Sequence, residues 1–202
     1  MYGIQDPLKC LESSPPPKNT YKQDIMTKIT AFHERELRLL AQDNSAMIYL
    51  NVSLLGLTRR LHPSITGVST TYEVRKMRIH VKMLTGNYLT FEIKSNQSGG
   101  SPQCRLCLAE SESLEHLISR CVKIDHIRTQ IKEKMMSICQ ESGISIDINN
   151  LSDKDFAQFS LDASSINLMQ RVDINHPALP KLFQQSRNFC YAIDRSRIQL
   201  LD

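Results

Sequence analysis

The chain has no tryptophan, and phenylalanine and tyrosine together make up only 6% of its 202 residues. Side chains able to stack on nucleic-acid bases are therefore scarce. No stretch approaches the ~20 consecutive apolar residues of a membrane-spanning helix, so no span is expected. The opening Met1-Tyr2-Gly3-Ile4-Gln5-Asp6 has no apolar run, and no signal peptide is expected. Neither sign of charge dominates: 25 Lys and Arg against 21 Asp and Glu leave a net +4, too mild a bias to establish nucleic-acid binding by itself. A hydrophobic content of 41% suffices for a core, in one domain or two small ones.

The six cysteines do not have the look of a secreted disulfide framework. Cys10, Cys139 and Cys190 are scattered, whereas Cys104, Cys107 and Cys121 are bunched. A reducing compartment, nucleus or cytoplasm, fits best. The bunched set lies in the run Cys104-x2-Cys107-x8-His116-x4-Cys121. Two residues between cysteines let both sulfurs face one point from a tight turn, and His116 and Cys121 must close a tetrahedron from a second element. Three thiolates and an imidazole are the ligand set of a closed structural Zn2+ site. Such a site carries a formal charge of minus one, which Arg105, Arg120 and Lys123 beside the ligands could offset. Reduced core cysteines are the plainer alternative.

The pattern predicts a mainly α fold: a small helical domain built around a CCHC zinc knuckle, with a flexible N-terminal linker. Residues 1–20, containing Ser13-Ser14-Pro15-Pro16-Pro17, read as that linker. Residues 21–95 read as a helical segment with a basic helix, 96–139 as the zinc-binding module and a following helix, and 140–202 as an irregular segment and a C-terminal helix. A helix is expected over about 21–42, with Ile25, Ile29, Phe32, Leu39 and Leu40 on its apolar side. The apolar stretch 46–61 could be a buried helix or a short strand.

A second helix is expected over 71–84, with Val74, Met77, Val81 and Leu84 inward and Arg75, Arg78 and Lys82 as a basic ridge. The ridge is either a solvated face or a phosphate contact. Gly86 suits the left-handed cap that ends it. Residues 95–102 read as a flexible connector. Near Ser113 a helix should begin, carrying Leu114, Leu117 and Ile118. Residues five apart stand about 140° apart on an α-helix, so His116 and Cys121 cannot both face one metal unless it ends or tightens before Cys121. The next helix, over about 123–139, should bury Ile124, Ile127, Ile131, Met135 and Ile138 and expose Arg128, Lys132 and Lys134. Over 153–159 a short helix is expected. His176-Pro177 and Leu179-Pro180 read as breakers before a terminal helix over 181–201. Leu182, Phe183, Phe189, Ile193 and Leu200 are its candidate core, and Arg187, Arg195 and Arg197 a second basic surface.

The metal run, followed by Arg128, resembles the zinc-binding region near the C-terminus of non-LTR (LINE-like) retrotransposon endonuclease–reverse transcriptase polyproteins. Similar too are the stretch from Val74 to Tyr88, Leu50-Asn51-Val52-Ser53-Leu54, His62-Pro63, the run from Leu161 to Leu168, and Ser186-Arg187-Asn188-Phe189-Cys190-Tyr191. The resemblance covers most of the chain and loosens before Tyr21. It implies a non-catalytic tail that helps grip template RNA or target DNA, with the rest of the polyprotein as partner and no small-molecule substrate. Arg75, Arg78, Lys82, Arg105, Arg120 and Lys123 are then the candidate nucleic-acid contacts, and Tyr88 and Phe91 the nearest stacking candidates, core packing being the plainer fate of either. A module that docks on the polymerase core, with its zinc purely structural, is the alternative. Leu108 stands where the family often has glycine, which implies a looser turn after Cys107. The polymerase motif Tyr-x-Asp-Asp is missing; Tyr191-Ala192-Ile193-Asp194 has a single Asp and sits in an expected helix. No endonuclease-like His/Asp/Asn constellation is visible, and no catalytic residues are expected.

Overall fold

A computed structural model describes residues 17–43, 47–51, 62–164 and 176–201. Among them the fold is mainly helical, with no strand. Chain contacts divide it into two units. One holds the first helix, α1 (Lys18–Asp43), which begins before the expected linker ends. Ile25, Ile29 and Phe32 are partly covered, as their spacing requires, but Leu39 and Leu40 of the expected stripe are exposed. Most of the apolar stretch 46–61 lies outside the described residues.

The second unit contains α2 (Thr71–Leu84), α3 (Phe91–Ser98), α4 (Asp125–Glu141), α5 (Asp153–Leu161) and α6 (Ala178–Leu201). Helix α6 is its axis: α2, α4, α5 and the short turn Pro63–Ile65 all pack on it. Leu182, Phe183, Phe189 and Ile193 are buried there, while the side chain of Leu200 lies outside the described set. The core thus joins α2 to the C-terminal helix across the whole intervening sequence.

Local chemistry explains the element ends. Thr70 Oγ1 accepts the Glu73 N–H at α2's start, and Ser152 Oγ accepts that of Asp155 at α5's start, each supplying a partner to an end N–H group. Helix α2 stops at Gly86 (φ 68°), where Gly86 N–H meets Met83 O and Asn87 N–H meets Lys82 O. That is the double-bonded helix stop glycine permits. Pro180 sits inside the first turn of α6 and does not break it, since a proline in the first turn removes no intrahelical hydrogen bond.

Further expectations on facing and on extent differ from the structure. The buried face of α2 is His80, Met83 and Leu84, rotated from the expected stripe, and Val74 is exposed. Residues 95–98 belong to α3, so the connector shrinks to 99–102. The second basic surface does not form. Arg187 is buried and donates through Nη1 to Ser64 O and Thr66 O, both 3.2 Å, and Arg197 is held by Glu112 at 2.6 Å. Only Arg195 of the three is exposed. Each arginine finds oxygens that a periodicity plot ignores.

A buried polar network knits distant loops together. Asp162 is fully buried. It accepts Asn51 N–H at 2.7 Å and Ser164 N–H at 3.0 Å, and the Ser164 hydroxyl bonds it as well. His62 Nε2 stands 3.6 Å from it, its Nδ1 taking the Ser64 N–H. Burial raises the Asp162 pKa, but His62, Ser164 and Asn51 outweigh it and hold the carboxyl below its ordinary value. Leu50-Asn51, His62-Pro63 and the run from Leu161, three of the stretches that carry the resemblance, meet at this point.

His80 donates from Nε2 to Leu161 O at 2.6 Å, and complete burial lowers its pKa to about 4. A histidine depressed in the fold binds its proton more readily when unfolded, so stability falls as the pH drops from about 6.5 towards 4. Wild type should therefore lose about 2 kcal/mol more stability between pH 7 and pH 5 than His80→Gln, which keeps a donor for Leu161. Urea unfolding of both proteins at the two pH values measures the difference; parallel losses would contradict it.

Candidate metal centre

Two short elements carry the four ligand side chains. The first is the loop 102–112, closed by backbone hydrogen bonds of 2.8 Å from Cys104 N–H to Glu110 O, from Leu108 N–H to Cys104 O and from Glu112 N–H to Pro102 O. Leu108 has φ 60°, the sole positive value at a non-glycine among the described residues. The turn after Cys107 therefore keeps a glycine-like backbone, against the looser turn implied by leucine. Left-handed backbone costs an L-residue roughly 1–2 kcal/mol, which the surrounding bonds, including Gln103 Nε2 to Leu108 O at 2.6 Å, must offset.

The second element solves the angular problem of His116 and Cys121 by ending before Cys121, one of the two expected ways, and it reaches that end through a wide turn. Ser113 Oγ accepts the His116 N–H at 3.0 Å, opening a helical stretch that does not tighten. Over His116–Arg120 it widens to a π-turn, closed by Cys121 N–H to His116 O at 2.8 Å. An i to i+5 bond places the fifth residue above the first, so both side chains reach one point. Cys121 itself is extended (φ −61°, ψ 115°) and ends the turn.

Arg128 braces the end of this turn through two carbonyls. It is buried, where exposure was expected, and donates through Nε to Ile118 O at 2.9 Å and through Nη2 to Cys121 O at 3.0 Å. Asp125 holds its other nitrogen at 2.6 Å. Ser119 Oγ donates to Asp153 O at 2.7 Å, tying the π-turn to α5.

The result is a compact donor set. The Sγ atoms of Cys104, Cys107 and Cys121 and a ring nitrogen of His116 lie within 4.8 Å of one another. Cys104 Sγ is 4.0 Å from Cys121 Sγ, and Cys107 Sγ is 3.3 Å from His116 Nε2. Cys104, Cys121 and His116 are buried and Cys107 partly so. The four could hold one metal ion.

Backbone N–H groups converge on the sulfurs: Leu106 and Cys107 on Cys104, Ala109 and Glu110 on Cys107, and Lys123 on Cys121. Such donors favour thiolate. Burial opposes them, pushing Cys104 up to about 12 and raising Cys121. At Cys107 burial also raises, but the N–H groups and the neighbouring thiols prevail and leave it lowered. A cation must displace the remaining protons, so metal affinity falls as the pH falls.

A carboxylate supports the imidazole. Glu110 Oε2 stands 3.4 Å from His116 Nδ1, which has no hydrogen-bond partner among the described residues; a small side-chain shift would let the ring N–H donate to the carboxylate, the bond that fixes a ligating histidine's tautomer and orientation. Arg120 Nε holds Glu110 at 3.1 Å while its Nη1 holds Glu115 at 2.6 Å. Arg120, a candidate nucleic-acid contact by sequence, is thus half-buried and engaged by acids. Arg75, Arg78, Lys82, Arg105 and Lys123 are all exposed. Tyr88 is buried, its hydroxyl donating to Asp194 at 3.0 Å, and Phe91 is partly buried. Glu110 and Arg128 were not recognised as supports from the sequence. Glu110 carries a signal of sorts, an acid three residues beyond the second cysteine.

One metal ion per chain is expected in purified protein, and Cys104→Ser should abolish stoichiometric binding. Glu110→Gln, which spares the ligands, should weaken affinity about 10- to 100-fold. Elemental analysis and competition with a chelator measure both; unchanged affinity in either variant would contradict the assignment. No protein-family model, curated protein or solved structure matches the chain.

Proposed function

We propose that the chain is a non-catalytic, Zn2+-stabilised nucleic-acid-binding region of the kind its sequence resembles, the C-terminal part of a non-LTR retrotransposon polyprotein. It would help grip template RNA or target DNA, alongside the remainder of the polyprotein, in the nucleus and cytoplasm. The observation that carries the reading is the closed donor set of Cys104, Cys107, His116 and Cys121. Tetrahedral zinc with sulfur at about 2.3 Å and nitrogen at about 2.05 Å needs S···S near 3.8 Å and S···N near 3.6 Å. The 4.0 Å and 3.3 Å separations need only small side-chain rotations to reach those values. Three soft sulfurs with one imidazole suit zinc over the oxygen-seeking cations. Four protein ligands leave no coordination position for a substrate, which supports a structural ion.

The cations support the binding role. Arg75, Arg78 and Lys82 are spaced three and four apart, so they share one face of α2. That face is opposite the buried His80, Met83 and Leu84, and all three are exposed. A rigid helix presents them at fixed spacing, as tracking a phosphate backbone requires. Arg105 and Lys123 lie beside the ligands, also exposed. Arg120 acts through the metal loop, since its guanidinium holds Glu110 and Glu115. Asp194, the lone acid of the Tyr191-x-x-Asp194 stretch, accepts the Tyr88 hydroxyl on α6, which supports a structural role for it.

A protein-docking module is the second reading, favoured by Leu108 and Val122. Each adjoins one of the four cysteine and histidine candidates, Leu108 in the loop and Val122 after Cys121, and they are 64% and 70% exposed. The two readings part in solution. The nucleic-acid reading expects RNA or DNA binding that weakens with salt, and a salt slope lower by about 2–3 in the triple variant Arg75→Glu, Arg78→Glu, Lys82→Glu. Fluorescence anisotropy with single- and double-stranded probes across a salt series measures this. Absent or salt-independent binding by the zinc-loaded protein would overturn the proposal and leave the docking module.

A further inference from the structure

Three cations gather around one aromatic ring next to the metal loop. Arg105 Cζ lies 4.5 Å from the Phe91 ring centroid, and Lys94 Nζ and Arg197 Cζ each lie 5.1 Å from it. Like charges at such range repel, and the ring's negative faces offset part of that repulsion. Their electrostatic situations differ. Arg197 is largely covered and is neutralised by the buried Glu112, which accepts from its Nε at 3.1 Å and its Nη2 at 2.6 Å. Glu112 Oε1 also accepts the Phe91 N–H at 3.0 Å, fixing the start of α3. Arg105 and Lys94 are exposed, and among the described residues neither has a carboxylate within ion-pair distance. Glu92, two residues before Lys94 on α3, points away from it, since residues two apart do not share a helix face.

The cluster therefore presents two unneutralised positive charges whose side chains are already ordered against a ring. Ordering in advance removes part of the entropy cost of gripping an anion. One cation is anchored by the loop between Cys104 and Cys107 and the other by α3, so their separation depends on the metal loop being folded.

We propose that Lys94 and Arg105, steadied by Phe91, form a clamp for the phosphodiester backbone of RNA or DNA. The clamp rests on the nucleic-acid reading above and adds a contact point separate from α2. Arg105 supplies a planar guanidinium able to hold two phosphate oxygens at once, and Lys94 a point charge for the same or the adjacent phosphate. Bases are not read by such a site; it sets register and contributes to salt dependence.

The test compares the zinc-loaded wild type, the double variant Lys94→Gln with Arg105→Gln, and Phe91→Leu. The probes are single-stranded RNA, single-stranded DNA and duplex DNA across a salt series, with polyglutamate as a non-nucleic polyanion. Zinc stoichiometry monitors folding, and the two single variants replace the double if it loses metal. The double variant should bind about ten-fold more weakly at 0.1 M salt, with a salt slope lower by about 1.4–1.8. Phe91→Leu should weaken binding less, with the slope unchanged, because both charges remain. Nucleic-acid binding by wild type with an identical affinity and slope in the double variant would overturn the clamp while leaving the broader reading intact. Binding of polyglutamate as tight as that of the oligonucleotides would also overturn it. No nucleic-acid binding by wild type would remove the broader reading and the clamp with it.

Discussion

Everything in the knuckle depends on bringing three sulfurs and one ring nitrogen within 4.8 Å of one another. Without a cation such a cluster opposes folding: burial first, with the neighbouring Cys121 and Cys107 adding to it against the backbone N–H groups, holds the Cys104 thiol at about 12, and clustered thiolates would repel. A dication held there would reverse the sign of these effects, because desolvated anions around it would be attracted, and the free energy of binding would become free energy of folding. Neither the loop 102–112 nor the π-turn is long enough to bury a core of its own. The four ligands join them, and Leu117, Ile118 and Cys121 then reach the core around α6.

Around that centre, charged side chains brace backbone groups. His116 and Cys121 are aimed at one point through a π-turn, and Arg128 braces its end at Ile118 O and at Cys121 O, which also accepts the Ile124 N–H. Arg187 does the same for Ser64 O and Thr66 O beside the axis helix. Asp162 gathers Asn51, His62 and Ser164. Three buried charges thus serve as hubs for backbone groups, in keeping with the pairing that buried polar atoms demand. Leu108 shows the opposite compromise: a strained, exposed leucine tolerated because the loop's hydrogen bonds leave it no other conformation.

How far the sequence foretold this depended on the kind of signal. The ligand set was legible because metal chemistry restricts residue type and spacing together, and the structure brings all four side chains to one place. The bounds of helix α2 were legible, its end because Gly86 suits the left-handed cap; the Thr70 cap at its start was not read from the sequence. Nor was the helix's inward face, since His80, a polar residue, is buried through a hydrogen bond to Leu161 O that only the tertiary fold supplies. The same reason hid Arg128, Arg187 and Arg197: hydropathy assigns an arginine to solvent, but these three meet oxygens from distant segments. Helix α3 was missed because Ser95 to Ser98 is helical through the Thr90 cap and Glu112, neither of which a run of polar residues announces. The way His116 and Cys121 converge was posed correctly as an angular conflict, and the helical stretch ends before Cys121 as one expected solution had it; that its last turn is wide and braced by Arg128 was not legible.

The coordination shell proposed for Zn2+ is read directly by X-ray absorption at the zinc edge of the purified protein. Three sulfurs at about 2.3 Å and one nitrogen at about 2.0–2.1 Å, with no bound oxygen, is the expected shell. A shell of oxygen and nitrogen donors, or one with a water in the fourth position, would contradict it.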